Sequence, residues 1–256
     1  MNPALWVDEA FFMLLNMEIQ EKTKFELIPG GKQTWQGREE WFFNPRHTNT
    51  YEQWYEGRYK HAEVEQKKIL GQLAKKDPRI KTLLEFGCGT TRFTRWWKEI
   101  GIQATGGDIS PLMLSQARQL FEGDLVMADA HYMPFRDHSF DALAFVTTFE
   151  YYKDPIRVIQ EAARVGKYGI IMGMMNRNTT KVLRRRVQQA FGQNPFYITA
   201  KFYTPAQLTA LIDKALQGRR YTIEWTCTGL PRWFPIRQWG VPYGDFFGLR
   251  VAFTDV

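Results

Sequence analysis

The strongest constraint on this chain's fold is the stretch from Lys81 to Met175, where short apolar runs alternate with segments of helical periodicity. That alternation marks strand–helix–strand units, which close their crossovers in a parallel sheet covered by helices. The run TLLEF (82–86) reads as a buried strand that stops at Gly87-Cys88-Gly89, and a helix follows over 91–100. Further strands are expected at 102–108, 124–129, 140–146 and 168–175, the last wholly apolar and so central in the sheet. Ser110-Pro111 and Asp154-Pro155 open two of the intervening helices, each with proline where a missing N–H costs nothing and with Asp154 as a cap.

Beyond Met175 the spacing predicts a helix over 180–191, another capped by Thr204 and running to about Leu216, and strands at 221–228 and 246–254. On the N-terminal side, 5–19 and 51–73 read as helices, and 20–50 as mostly loop. A length of 256 residues is at the upper end of one hydrophobic core, so one domain with additions is expected. The hydrophobic and charged fractions, 44% and 24%, exclude a disordered or fibrous chain. Cys88 and Cys227 are too few for a disulfide framework, which points to a reducing, cytoplasmic setting. Asp8 and Glu9 stand where a secretion signal would carry lysines, and no run approaches the ~18 uncharged apolar residues of a membrane span.

Charge and aromatic rings are unevenly spread. The net charge is +7, yet between Glu161 and Asp213 there is no acidic residue and there are eight basic ones. The basicity therefore belongs to one segment, 164–201. Eight aromatic residues fall between Trp35 and Tyr59, and seven between Trp225 and Phe247.

A strand, a glycine turn and a helix make a site for nucleotides: glycine lets the backbone come close, and the helix start offers free N–H groups. Asp108 ends the next strand 19 residues after Gly89, the position of a carboxylate that accepts from ribose hydroxyls. This much suits nicotinamide dinucleotides and S-adenosylmethionine alike. Leu84-Glu85-Phe86-Gly87-Cys88-Gly89-Thr90 then resembles the first motif of the class I S-adenosylmethionine-dependent methyltransferases, of the small-molecule, type 11-like kind. Residues 108–114 resemble the second motif of that family, and 129–141 its third and fourth.

The resemblance implies a Rossmann-like doubly wound sheet of about seven strands, mostly parallel with one antiparallel strand. It also implies a helical N-terminal extension (1–50), a binding domain (51–256) and a lid insertion at about 177–218. It further implies roles. Gly87, Cys88, Gly89 and Thr90 would pass under the methionine half of the cofactor, with Glu85 orienting that loop. Asp108 would hold the ribose, Ile109 and Met113 would flank the adenine, and Asp129 with Ala130 would meet its amino group. Phe149 and Glu150 would lie beside the reacting methyl, Glu150 as the candidate base. One departure is Thr91, where the family usually has a third glycine; it could cap the helix or tighten the pocket.

Trp54, Tyr55 and Arg58 lie on a helix resembling one that closes over the cofactor, and are the candidate acceptor contacts. The basic segment suits an acceptor bearing carboxylate or phosphate, or an anionic membrane surface. Metal ligation is not expected, since the histidines lack carboxylate or cysteine spacing. The expected reaction is methyl transfer to a small, acidic or aromatic metabolite, with S-adenosylhomocysteine as the other product. One rival is an RNA methyltransferase using the 164–201 segment. Against it, Thr147-Thr148-Phe149-Glu150 lacks the Asn/Asp-Pro-Pro-aromatic signature of base amino-methylation. A second rival is a protein that binds the cofactor without turnover. The 5–19 helix could pair with a twin in a homodimer.

Overall fold

The structure, a computed structural model, describes residues 40–191, 195–228 and 244–255; the expected 5–19 helix lies outside them. Seven strands form one sheet: β1 (Thr82–Phe86), β2 (Gln103–Asp108), β3 (Leu125–Met127), β4 (Phe140–Val146), β5 (Gly166–Met175), β6 (Tyr221–Cys227) and β7 (Phe246–Phe253). Their order is β3-β2-β1-β4-β5-β7-β6. The first five run parallel, and β7 is antiparallel to both β5 and β6. The order reverses between β1 and β4, and ligands of open α/β sheets bind at the carboxyl ends of strands beside such a switch point.

The helices are α1 (Pro45–Thr48), α2 (Tyr51–Trp54), α3 (Lys60–Ala74), α4 (Arg92–Glu99), α5 (Pro111–Leu120), α6 (Pro155–Val165), α7 (Thr180–Ala190) and α8 (Pro205–Ala215). Leu70, Phe93 and Trp97, from α3 and α4, pack on one face of the sheet, and Val158, Ile159, Leu208 and Ile212, from α6 and α8, on the other. The expected caps form: Ser110 Oγ accepts from Met113 N–H at 3.2 Å and Asp154 Oδ1 from Arg157 N–H at 3.1 Å. Thr204 and Gln207 make a reciprocal capping box at the head of α8. The single helix expected over 51–73 is interrupted by a π turn at Tyr55–Tyr59, a feature frequent at functional sites.

Two expectations about the basic and lid segments need correction. Arg164 does not face an acceptor: its guanidinium donates to the carbonyls of Met133 and Phe135 and pairs with Glu161 and Asp137, tying α6 to the 133–137 loop. Replacing it with alanine takes the guanidinium from two carbonyls and the nearer of two arginines from the buried Glu161 carboxylate. The expected loss is about 3 kcal/mol of stability, read as a lowered urea midpoint. Nor does 177–218 stand off as one lid. Leu208, Ile212 and Ala215 of α8 belong to the main core, because the helix between β5 and β6 has to cover the sheet. Only 177–203 rests on its own small cluster, around Met175, Val182, Tyr197 and Phe202.

Candidate active site

At the carboxyl ends of β1, β2 and β4 the backbone folds around a cavity of about 160 Å³. Gly87 has φ +77° and Gly89 φ +54°, the left-handed region that only glycine enters freely. A Cβ added to Gly87 would sit 2.0 Å from Thr148 Oγ1, so the turn closes only without a side chain there. The bend brings the Gly89 N–H to Asp108 Oδ2 at 2.8 Å, while Asp108 Oδ1 accepts from Ser110 N–H at 2.8 Å. Each carboxylate oxygen retains a second lone pair, and Asp108 lines the cavity. Burial pushes its carboxyl up to about 6, against the pull of those backbone donors.

Every cofactor residue expected from the sequence lines this cavity except Phe149. Glu85 accepts from Thr94 Oγ1 at 2.7 Å, so it ties the glycine loop to α4; burial pushes its carboxyl up to about 8. Burial likewise holds the Cys88 thiol far up, in its neutral form. Asp129 Oδ1 takes a 2.5 Å contact from His131 Nδ1, and His131 Nε2 accepts from Asp154 N–H at 3.3 Å. The proton therefore sits on Nδ1. This tautomer makes His131 a support for Asp129 and leaves no free lone pair for a base.

Phe149 and Glu150 are corrections. Phe149 is fully buried against Phe145, Tyr152 and Tyr203, and neither residue lines the cavity. The short 3-10 turn after β4 points them into the core instead. Glu150 Oε1 accepts from Met175 N–H at 3.0 Å, its Oε2 is buried without a partner, and burial pushes its carboxyl up to about 7. Its place is beneath the end of β5, where it fixes the chain entering the 177–203 segment.

Thr91 neither caps α4 nor enters the pocket. It is buried with φ +67°, and its Oγ1 donates to the Thr90 carbonyl at 2.5 Å. The left-handed backbone there accounts for glycine at this place in the family pattern; the threonine keeps the conformation at some strain. Thr147, just past β4, also has a left-handed φ of +52° and lines the cavity, a residue that sequence reasoning missed.

The cover of the cavity was legible only as an aromatic cluster. Trp41 stacks on Tyr51 with ring centroids 5.2 Å apart, and Tyr51 meets Tyr55 at 5.2 Å. Phe42 closes the side of the cavity next to α5, its carbonyl accepting from Ser110 Oγ at 2.5 Å. Beneath, Glu52 pairs with Arg92 at 2.6 Å and also meets Thr90 Oγ1, latching α2 to the glycine turn. Tyr55 lies in the wall of the cavity, while the side chains of Trp54 and Arg58 lie outside the described residues.

A second cavity, of about 790 Å³, adjoins the first and shares Trp41, Tyr51, Tyr55, Thr147 and Tyr151 with it. Lys181, Arg184 and Arg185 of α7 stand on its far side. Lys181 pairs with Asp245, and Arg185 lies over the Tyr197 ring, 5.2 Å from its centroid. Tyr151 donates to the Phe196 carbonyl at 2.5 Å, and burial holds its phenol far above the ordinary value, so it is no base. Among the described residues no cluster of three or more His, Cys, Asp or Glu could hold a metal ion, and no helix is long and apolar enough to cross a membrane.

A parallel sheet with one reversed strand near its edge, and a ribose-type carboxylate hydrogen-bonded to a glycine bend, define a Rossmann-like nucleotide-binding protein. Residues 84–172 match the family described as "Methyltransferase domain". An uncharacterised protein of Methanocaldococcus jannaschii is 26% identical over 174 residues, 66% of this chain and 78% of that one. The demethylmenaquinone methyltransferase of Thermotoga maritima is 36% identical over 88 residues, which span 33% of this chain and 38% of that enzyme. Among solved structures, a methyltransferase of Thermotoga maritima described as a possible histamine N-methyltransferase superposes with a TM-score of 0.66. At 24% identity, covering 83% of this chain and 98% of the other, that likeness is one of fold. Residues 84–172 are thus a methyltransferase domain, and that match together with the fold supports a class I S-adenosylmethionine-dependent methyltransferase.

Proposed function

We propose that the methyl group goes to a small molecule carrying an aromatic ring, an acidic group or both, held in the 790 Å³ cavity. The observation that carries this reading is the shared wall of the two cavities. The rings common to both would stand between the donor and whatever fills the outer one, with two arginines and a lysine opposite.

S-adenosylmethionine supplies a methyl group already activated on a sulfonium, so the protein's task is alignment and exclusion of water. In this reading Asp108 accepts from the ribose hydroxyls through its free lone pairs. Met113 and Ile109 pack beside the adenine, and Asp129, held by His131, accepts from the adenine amino group. The faces of Trp41, Tyr51 and Tyr55 favour a cation near the reacting carbon. With Glu150 turned into the core and the tyrosines neutral, an acceptor that is already nucleophilic, or that gives its proton to water, suits the site best.

A cavity of about 160 Å³ is smaller than the ~300 Å³ at the low end of ligand sites, so we also propose that the Glu52–Arg92 latch opens to admit the donor. The two free cysteines suit the reducing, cytoplasmic setting that the sequence suggests.

The acceptor reading is tested with radiolabelled donor and a panel of phenols, anilines and imidazoles, each offered with and without a carboxylate or phosphate. Label is expected in small molecules, preferentially the anionic ones. Arg184→Ala is expected to raise their KM about ten-fold while leaving S-adenosylhomocysteine affinity unchanged, as loss of a charged hydrogen bond requires. Label appearing in RNA and in no small molecule would contradict it.

A further inference from the structure

The helix α7 carries its apolar residues on the wrong side for a core. Among its described side chains Val182 alone is buried beneath it, while Leu183, Val187 and Phe191 stand 57%, 50% and 74% exposed. The hydrogen bond from Phe191 N–H to the Val187 carbonyl continues the helical turn, so the three residues, four apart, share one stripe. At about 100° per residue Arg184 and Arg186 fall on either flank of that stripe. Past Arg186 a groove of about 640 Å³ continues the positive charge through Arg177, Lys201 and Lys214 over a floor of Phe202 and Leu211. Among the described residues none of these five cations forms an ion pair, whereas Lys181, on the cavity side of α7, is paired with Asp245. The absence of acidic residues between Glu161 and Asp213 leaves this face without a countercharge of its own.

Two demands must be met by one occupant: an apolar phase for Leu183, Val187 and Phe191, and anions for the arginines and lysines beside them. A nucleic acid backbone satisfies the second and leaves the stripe in contact with phosphate. An anionic bilayer satisfies both, because headgroup phosphates meet the cations while the stripe enters the headgroup–acyl boundary. We propose that the protein docks on an anionic membrane surface through the exposed face of α7, without crossing it. The opposite face of α7 walls the outer cavity, so docking would hold that cavity about one helix diameter, ~10 Å, from the bilayer. The proposal stands on the exposed face alone, whatever the acceptor proves to be.

The test is sedimentation of the full chain with vesicles of phosphatidylcholine containing about one-third phosphatidylglycerol, and with phosphatidylcholine alone, at low salt. Binding is expected to the anionic vesicles and to be weak to the neutral ones. The double variant Leu183→Ser, Val187→Ser is expected to lower the partition coefficient about ten-fold or more, through lost apolar burial. Arg186→Glu with Lys201→Glu is expected to lower it by at least twenty-five-fold, at about five-fold per basic residue removed. All these residues are exposed, and unchanged S-adenosylhomocysteine binding in both variants is the check that they fold. No sedimentation with anionic vesicles overturns the proposal, and so does binding that the serine variant leaves unaltered. An RNA gel shift indifferent to the serine variant, with no vesicle binding, assigns the cations to nucleic acid and overturns it as well.

Discussion

Below about pH 6, affinity for S-adenosylhomocysteine is expected to fall about ten-fold for each unit of pH, and above that value to level off. The cause is Asp108, whose carboxyl is pushed up to about 6 by burial. Ribose hydroxyls are donors, so the ionised carboxylate is the form that accepts them, and binding below its pKa must release one proton. The sign for folding is opposite. A carboxyl raised from 3.8 to about 6 contributes stability that is fully present below 3.8 and lost as pH rises through about 6. The free protein thus carries a cost at neutral pH that the ligand offsets. In Asp108→Asn both effects should vanish together. Its amide would turn against one of the two N–H groups, of Gly89 and Ser110, that the carboxylate now accepts from. Loss of charged hydrogen bonds worth about 1.5–3 kcal/mol each predicts an affinity at least 100-fold weaker, without the slope in pH. Titration calorimetry at four pH values from 5 to 8 reads both, as do differential scans for stability. A pH-independent wild-type affinity would show that another group carries the ribose.

Substituting alanine for Gly87 should cost about 3 kcal/mol of stability, visible as a lowered urea midpoint with unchanged slope. Two contributions add. An L-residue at φ +77° pays for the left-handed conformation, and its Cβ would lie 2.0 Å from Thr148 Oγ1 and 2.7 Å from Thr148 Cβ. Because the second contribution belongs to a pair, Gly87→Ala combined with Thr148→Gly should recover the steric part and leave only the backbone part. A single variant as stable as the parent would mean that the turn has a different conformation.

The sheet was legible because its determinants are local. Strand β1 is a short apolar run that stops at Gly87, and the helices after β2 and β4 open at Ser110-Pro111 and Asp154-Pro155; those signals survive in three dimensions as the turn at Gly87 and the caps at Ser110 and Asp154. The reversed strand followed from the family resemblance. The residues that line the cavity were legible for the same reason: they sit at strand ends, where chain order fixes place. Phe149 and Glu150 were misplaced because a 3-10 turn spaces side chains differently from an extended chain, so residues just past β4 face the core. The cover over the cavity depends on residues 41–55 meeting lining residues between Glu85 and Lys153, a separation that no periodicity records.

The basic segment shows the limit most clearly. As sequence it is one block of charge; in space it divides. Arg164 is a structural tie, Lys181 and Arg185 face the second cavity, Arg184 lines that cavity and edges the exposed stripe, and Arg186, Arg177 and Lys201 face a separate groove. The helical pattern of α7 was legible, but periodicity does not say which of its apolar residues turn inward; among the described ones Val182 does, and Leu183 and Val187 do not.

The whole account turns on a donor held between the Gly87–Gly89 bend and Asp108. The most direct measurement is a calorimetric titration of S-adenosylhomocysteine into the unaltered chain at pH 7.5. The account predicts one site per chain with a dissociation constant in the micromolar range or tighter, about −8 kcal/mol. No saturable heat at millimolar ligand would contradict it.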